Sequence, residues 1–320
     1  MAMPRARVAA VLIGRNEGAR LVSAFASLPP SVAPVVYVDS GSTDGSVAAA
    51  EAAGARVVRL DLSRPFTAAR ARNEGFAALG PDFPEYVQFM DGDCSLAPAW
   101  VETALTFLEA TPKAAVACGR RRERFPQASV YNRLCDAEWD TPVGRTRSCG
   151  GDAMVRTAAF AAVGGFDPSL IAGEEPELCV RLRAAGWEIW RLDAEMTLHD
   201  AAMLRFSQWW KRMRRGGHAF AEGAAMHGTP PERHFVREVR SALVWGFALP
   251  AVALLGAVAV SPWMLLLLLA WPAQVLRLAP RLGLTRAAFL TLGKVPEAIG
   301  IAEYWLRRAV RRPAGLIEYK

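Results

Sequence analysis

The 320-residue sequence predicts an α/β domain, a mainly parallel sheet with helices on both faces, followed by a C-terminal helical hairpin able to cross a membrane. Three observations carry this prediction. Short apolar runs alternate with segments of helical spacing between Arg7 and Asp91. Polar clusters fall at three strand ends, Arg15-Asn16-Glu17, Asp39-Ser40-Gly41 and Asp91-Gly92-Asp93. From Ala242 to Val260 no residue is charged.

Arg7–Ile13 reads as a strand, because the apolar run from Val8 to Ile13 suits burial on both faces and is too short for a signal peptide. Leu21, Phe25 and Leu28 give Glu17–Leu28 helical spacing, and Pro29-Pro30 stops that helix. Val35–Val38 is a second strand, ending at Asp39. Ser42–Asp44 caps a helix that runs through Ala53 and closes at Gly54. Arg56–Leu60, Phe66–Leu79 and Glu85–Met90 follow as strand, helix and strand, the last ending at Asp91. Glu188–Leu192 is a later strand-like run before His199-Asp200. Such alternation predicts a parallel sheet, which binds ligands outside the carboxyl ends of its strands.

The Ala242–Val260 helix would cover about 28 Å at ~1.5 Å per residue, close to the ~30 Å hydrocarbon core. Ser261-Pro262 interrupts, and Trp263–Leu276 follows as a second apolar run: a tight hairpin, or a span with a re-entrant helix. A hairpin buried in a soluble protein is the competing reading. The net charge is +7, and residues 200–320 hold 17 Lys and Arg against 7 Asp and Glu, whereas the rest hold 21 against 24. Arg233, Arg237 and Arg240 precede the hairpin, and Arg277, Arg281 and Arg286 follow it. Basic flanks favour the cytoplasmic side, which puts both termini inside and requires no nucleic-acid partner for the charge. Five cysteines without a C-x-x-C pair exclude a zinc ribbon and a fully paired disulfide framework, and suit a reducing compartment. Phe289, Leu292, Val295, Ile299, Ala302, Leu306 and Val310 recur at steps of three and four among Lys294, Arg307, Arg308, Arg311 and Arg312. This is a helix lying along an anionic membrane face or one packed on the soluble domain.

Asp91 and Asp93 emerge from a buried strand at i and i+2, so in extended geometry both carboxylates face one side and can reach one hard cation, Mg²⁺ or Mn²⁺. A surface turn is the alternative for an isolated Asp-x-Asp. Asp39 can accept hydrogen bonds from a base or a ribose, with Ser42 or Asp44 capping the next helix. No G-x-G-x-x-G follows the first strand and no G-x-x-x-x-G-K-[ST] occurs, which argues against dinucleotide and P-loop sites.

Val11-Leu-Ile-Gly-Arg-Asn-Glu17, Val36-Tyr-Val-Asp-Ser-Gly-Ser-Thr-Asp-Gly-Ser46, Met90-Asp-Gly-Asp93, Gly164-Gly-Phe-Asp167 and Gly173-Glu-Glu-Pro-Glu-Leu-Cys-Val-Arg-Leu182 together resemble the family 2 glycosyltransferases, over about residues 5–200. The resemblance implies a GT-A fold, Rossmann-like, with inverting, metal-dependent sugar transfer from a nucleotide sugar. It implies that Arg15, Glu17 and Asp39 lie at the nucleoside end, that Arg72 contacts the diphosphate, and that Asp91 lies near ribose and metal with Asp93 as metal ligand. Glu175 matches the catalytic base; the family's Glu-Asp pair reads Glu174-Glu175 here, so either carboxylate can be that base. His199 would complete the metal site or serve a structural role, and Gly150-Gly151-Asp152 would line the donor-sugar or acceptor pocket. Trp139 and Trp187 could stack on a sugar or pack in the core, and Arg70 joins Arg72 as a source of positive charge.

Gln208-Trp-Trp-Lys-Arg-Met-Arg-Arg215 resembles in position the interfacial segment of membrane-bound members, where Arg212 and Arg215 would meet the diphosphate or lipid headgroups. The expected organisation is a catalytic domain (1–200), basic-aromatic juxtamembrane helices (201–240), a transmembrane hairpin (241–279) and an amphipathic interfacial tail (280–320). The expected activity is an inverting transfer from a nucleotide-diphosphate sugar to a lipid or lipid-linked glycan, by a multi-pass inner-membrane protein with a cytoplasmic catalytic domain. Polyisoprenyl phosphate and exopolysaccharide are the alternative acceptors, and a non-catalytic nucleotide-sugar-binding scaffold is the alternative class.

Overall fold

The computed structural model describes residues 7–81 and 84–310; Arg311 and Arg312, with the remainder of the expected tail, lie outside the described residues. Two compact units are present, one up to Leu204 and one from Arg205.

The first unit is a nine-stranded mixed sheet with helices. Its strands are β1 (Val8–Gly14), β2 (Val32–Asp39), β3 (Arg56–Arg59), β4 (Tyr86–Asp91), β5 (Cys94–Leu96), β6 (Ala114–Glu123), β7 (Gly144–Thr146), β8 (Ala153–Arg156) and β9 (Glu188–His199). Its helices are α1 (Ala19–Ala26), α2 (Ser46–Ala52), α3 (Ala68–Ala77), α4 (Trp100–Ala110), α5 (Val130–Glu138), α6 (Thr157–Ala162) and α7 (Glu174–Ala184). The order is β3-β2-β1-β4-β8-β6-β9-β5, with β7 on β9. The β3-β2-β1-β4 half is the parallel sheet that the strand–helix alternation predicts. The other half is mixed: β8 runs antiparallel between β4 and β6, and β6 runs parallel to β9.

Register decides where the polar clusters go. Gly14 pairs with Asp39 and Ile13 with Asp91, so the carboxyl ends of β1, β2 and β4 finish level. The N–H of Ser40 donates to Gly14 O at 3.0 Å, and that of Gly92 to Ile13 O at 2.8 Å. Because β8 is antiparallel to β4, with Phe89 opposite Ala153, the residue before β8, Asp152, arrives beside Asp91. On the far side His199 pairs with Glu123 of β6 and with Cys94 of β5.

The core is apolar on both faces of the central strands, with Val8 to Met90 positions of β1 and β4 buried almost throughout. Buried Gln88 accepts from Trp100 Nε1 at 2.8 Å and donates to Phe89 O, so its amide is not left unpaired. Gly75 lets α3 lie against the sheet: a Cβ there would come within 2.4 Å of Val11 Cγ1.

The second unit contains α8 (Phe206–His227), α9 (Val236–Leu243), a π-helical turn (Val244–Ala248), α10 (Leu249–Ala259), a 3₁₀ segment (Pro262–Leu269), α11 (Ala270–Leu282), α12 (Leu284–Leu292) and α13 (Lys294–Ala309). Two stretches, Val236–Ala259 and Pro262–Leu282, are long and apolar enough to cross a membrane, with mean hydropathy 2.1 and 1.4. Only 11% and 0% of their apolar windows is buried within the protein, so neither is a core helix of this chain. α13 packs on α8 through Glu297, Gly300, Ile301 and Tyr304, while Ile299, Leu306 and Val310 of the predicted stripe stay exposed.

Glycine sets that packing. A Cβ at Gly217 would stand 2.0 Å from Glu297 O, and one at Gly300 would stand 2.0 Å from Arg214 O. These neighbours are backbone atoms, so no rotamer change relieves the contact. Alanine at Gly300 gains up to ~1 kcal/mol of helix preference but meets an overpacking cost of about 1–3 kcal/mol. Gly300→Ala should therefore lower the melting temperature of the detergent-purified protein, and Gly300→Leu should prevent its folded accumulation.

Candidate active site

α3 carries the Ala71-Arg72-Asn73-Glu74-Gly75 sequence and shows what each member does. Thr67 caps the helix by accepting from Arg70 N–H at 3.0 Å. Asn73 donates to Phe166 O at 2.7 Å and accepts from Phe166 N–H at 2.9 Å, latching the loop that contains Gly164 and Gly165. Both glycines have positive φ, 79° and 72°, which this tight turn requires. The Phe166 ring then lies beneath the Arg72 guanidinium, 5.6 Å from its centroid.

Arg72 is 2% exposed. Its Nη2 donates to Asp91 Oδ1 at 2.8 Å, its Nη1 donates to Glu174 Oε1 at 2.7 Å, and Glu175 Oε1 lies 3.4 Å from Nη1. Burial works against its charge, yet Asp91, Glu175 and Glu174 outweigh it and hold the guanidinium protonated. Glu174 and Glu175 open α7 after Gly173, whose φ is 82°, and the positive end of the helix dipole favours carboxylates there. Burial, followed by the charge of Glu174, lifts Glu175 to about 7 despite the nearby Arg72.

Asp91 also receives Arg121 of β6, whose Nη2 donates to Oδ2 at 3.3 Å, and its own N–H donates to Asp152 Oδ1 at 3.1 Å. Asp152 is fully buried, accepts from Thr197 Oγ1 at 2.8 Å, and lies 3.5 Å from Arg121 Nε. Arg121 rests over the Trp139 ring at 4.9 Å, and Trp139 meets His199 edge-on. His199 Nε2 lies 3.4 Å from Asp93 Oδ2, with Nδ1 facing Glu123 Oε2 at 3.6 Å. Burial, with help from Arg121, holds the imidazole pKa below its usual value.

Ligand atoms of Asp93, Cys94 and His199 lie within 4.8 Å of one another, as do those of Asp91, Cys94 and Asp152. Burial pushes the Cys94 thiol pKa far up, leaving carboxylates and a neutral imidazole as donors. That set suits a hard divalent cation. His199 Nδ1 is buried without a hydrogen bond, and Gly151 leaves space above the cluster. A Cβ on Gly151 would meet Arg72 Nη2 at 2.9 Å, Glu175 Oε1 at 3.0 Å and Asp91 Oδ2 at 3.3 Å.

The structure thus gathers Arg72, Asp91, Gly151, Glu174 and Glu175 around one point, with Asp93 and His199 alongside. Asp39 holds its loop, Oδ2 accepting from the N–H groups of Gly41 and Ser42 at 3.0 Å. Glu17 lies beside Gly14 and Gly92 and pairs with Arg20 at 2.8 Å; Arg15 is exposed at the end of β1. The expected side-chain cap of α2 is absent: its N-cap is Gly45, Asp44 accepts from Ser46 N–H at 2.9 Å in a turn just ahead of the helix, and Ser42 accepts from Asn16 N–H. Arg70 is wrapped by Glu74 and the carbonyls of Asp61, Arg64 and Pro65, a loop-organising role remote from the phosphate role expected for it. Trp187 packs against the core. Arg212 and Arg215 lie on α8 in the second unit. Arg121 and Glu123 were not foreseen, since Arg120-Arg121-Arg122 resembles a solvated strand end; Asp152 was expected to line a pocket with Gly150 and Gly151, and the mixed topology brings it to Asp91.

Residues 13–162 match the model for glycosyl transferase family 2. Over these residues the N-terminal unit is similar to a family 2 glycosyltransferase domain. The succinoglycan biosynthesis protein ExoA of Rhizobium meliloti is 29% identical over 194 residues, 56% of this chain; the chain covers 58% of that relative, less than two thirds of its length. Among solved structures, the mannosyltransferase PcManGT from Pyrobaculum calidifontis, in complex with GDP-Man and Mn²⁺, is similar with a TM-score of 0.65 at 20% identity, over 94% of this chain and 88% of that one. The glucosyl-3-phosphoglycerate synthase of M. tuberculosis is similar with a TM-score of 0.50 at 20% identity, over 70% of this chain and 81% of that one. These likenesses establish the GT-A fold.

The Gly151 contacts yield a test. Gly151→Ala places a methyl group among Arg72, Glu175 and Asp91. It should leave the thermal transition of the first unit in place while weakening Mn²⁺-dependent nucleotide binding, measured calorimetrically, by at least about tenfold, or ~1.4 kcal/mol.

Proposed function

We propose that the chain is an inverting glycosyltransferase that moves a sugar from a nucleotide-diphosphate sugar to a lipid or lipid-linked glycan hydroxyl at the cytoplasmic face of the inner membrane. The observation that carries this reading is the convergence, through Arg72, of the first acid of the Asp-Gly-Asp motif with the Glu174-Glu175 pair. The family match supports a nucleotide-sugar donor, and the ExoA relative supports an exopolysaccharide intermediate as acceptor. The two exposed apolar helices support anchorage beside a lipid acceptor.

Asp93, Asp91 and His199 would hold Mg²⁺ or Mn²⁺, as the PcManGT complex contains Mn²⁺. Bound there, the ion would neutralise charge on the departing diphosphate. Glu123 faces the Nδ1 side of His199 at 3.6 Å, while Nε2 faces Asp93 at 3.4 Å. Arg121 and Trp139 flank that group and limit water at the acid cluster. Glu17 and Asp39 stand at the ends of β1 and β2 as the nucleoside-facing acids, with Arg15 exposed beside them. Arg212 and Arg215 remain candidates for the diphosphate or for lipid headgroups. Glu175 takes the proton of the attacking hydroxyl, which requires the ionised carboxylate.

Because burial raises Glu175 to about 7, activity should rise with pH through that value and fall below it as the base is protonated. Protein purified in detergent, given UDP-, GDP- and dTDP-sugars with Mg²⁺ or Mn²⁺ and a lipid extract, should release nucleotide and label lipid. Glu175→Gln should lower transfer by about 10²–10⁴-fold and remove the acid limb while donor binding persists. Asp93→Ala should abolish metal-dependent donor binding. Donor binding without transfer by any donor–acceptor pair would favour the non-catalytic scaffold instead.

A further inference from the structure

Two neighbouring glutamates at the start of one helix present two candidate bases, and the structure treats them differently. Successive helical residues point about 100° apart, so a single buried cation cannot hold both equally. Glu174 makes the short bond to Arg72, 2.7 Å, with its side chain 6% exposed; Glu175 stands 3.4 Å away and is 16% exposed. The other arm of Arg72 is committed to Asp91 at 2.8 Å. Its Nε is buried without a hydrogen-bond partner, so the residue turns no solvated donor outward. Phe166 beneath the guanidinium, itself latched by Asn73, fixes the plane in which both bonds form.

We propose that Arg72 is a positioning residue: by claiming Glu174 and Asp91 together, it withdraws Glu174 from the reaction and leaves Glu175 as the carboxylate presented to the acceptor hydroxyl. This rests on the glycosyl-transfer reading and differs from the diphosphate contact that family resemblance implies for the same residue. A diphosphate contact acts on donor affinity; a positioning residue acts on turnover after the donor is bound. Lysine retains the charge but has no planar fork and cannot reproduce two bonds at fixed geometry. Methionine removes the charge and leaves Glu174 buried and uncompensated, a state that Glu174→Gln relieves.

The test uses the full chain in detergent, with kcat, calorimetric affinity for the nucleoside diphosphate in Mn²⁺, and labelling of carboxylates by a carbodiimide with glycine ethyl ester, located by mass spectrometry. Arg72→Lys should reduce kcat by about tenfold and Arg72→Met by about 100-fold, with affinity changed by no more than about threefold. The double variant Arg72→Met/Glu174→Gln should recover part of the lost kcat. In the unaltered protein, Glu175 should be labelled and Glu174 protected; in Arg72→Met and Arg72→Lys, both should be labelled. If Arg72→Met does not fold, Arg72→Lys and the double variant carry the test. Equal labelling in the unaltered protein, or loss of affinity in parallel with kcat, overturns the proposal, the latter making Arg72 a diphosphate contact. If the unaltered protein transfers no sugar at all, the glycosyl-transfer reading fails on that result alone, and the labelling pattern still decides whether Arg72 discriminates between the two glutamates.

Discussion

A guanidinium removed from water must be paired, and Arg72 is paired with carboxylates from two distant segments of the first unit, Asp91 at the end of β4 and Glu174 at the start of α7. Removing one partner from such a buried pair typically costs about 3–5 kcal/mol, because the remaining charge is stranded. Much of the local architecture follows from this constraint. Gly75 seats α3 against Val11 and Val38, which places Arg72 at sheet level. Asn73 latches the turn at Gly165, and that turn supplies Phe166 beneath the guanidinium. Gly173 then starts α7 with three acids in its first turn, of which Glu177 is satisfied separately by Arg181.

The mixed half of the sheet supplies a second layer of control. A parallel continuation beyond β4 would carry the start of the next strand to the opposite edge. The antiparallel β8 instead brings Asp152 to Asp91, where one carboxylate joins β4, β9 and the β6 arginine. Arg121 thereby faces Asp91 from the side opposite Arg72, so the first acid of the Asp-Gly-Asp motif is held between two guanidiniums. Asp93 is set apart from this exchange and faces His199. The two aspartates of one short motif therefore sit in different electrostatic surroundings, Asp91 between two guanidiniums and Asp93 beside an imidazole.

The parallel half was legible because its signals are local. Val8–Ile13 is apolar enough for two-sided burial, and Asp39 and Asp91 mark the strand ends that register later brings level. Glu174 and Glu175 were legible as a pair, though not their difference, since the preference of Arg72 depends on helix orientation and not on spacing. Arg121 was not legible, and Asp152 was legible as a pocket residue but not as the partner of Asp91 and Arg121: an acid after Gly150-Gly151 and the middle of three arginines carry no sign of the strand pairing that unites them. Arg70 misled for the converse reason. Its proximity to Arg72 in sequence suggested a shared task, but two residues along a helix point away from each other, and its donors meet loop carbonyls.

The second unit combines close packing on one face with an unusual amount of apolar exposure on another. Val258, Trp263 and Leu255 of the two long apolar helices are 91%, 77% and 70% exposed, and Val260 in the turn between them is 79% exposed. At about 25 cal/mol per Å², such side chains facing water would forfeit ~1.5–3 kcal/mol each relative to burial, and contiguous patches of this kind mark interaction surfaces. Yet the same unit packs α13 on α8 at backbone distance through Gly217 and Gly300, so its exposure is not a sign of poor packing. Basic residues bracket the two apolar helices, with Arg233 before the first and Arg286 after the second, and the acid-free stretch between Glu238 and Glu297 covers the same region. Hydrocarbon accommodates the apolar faces, and anionic headgroups accommodate the flanking charge. That a single environment would satisfy both features is the physical argument behind the proposed membrane anchorage.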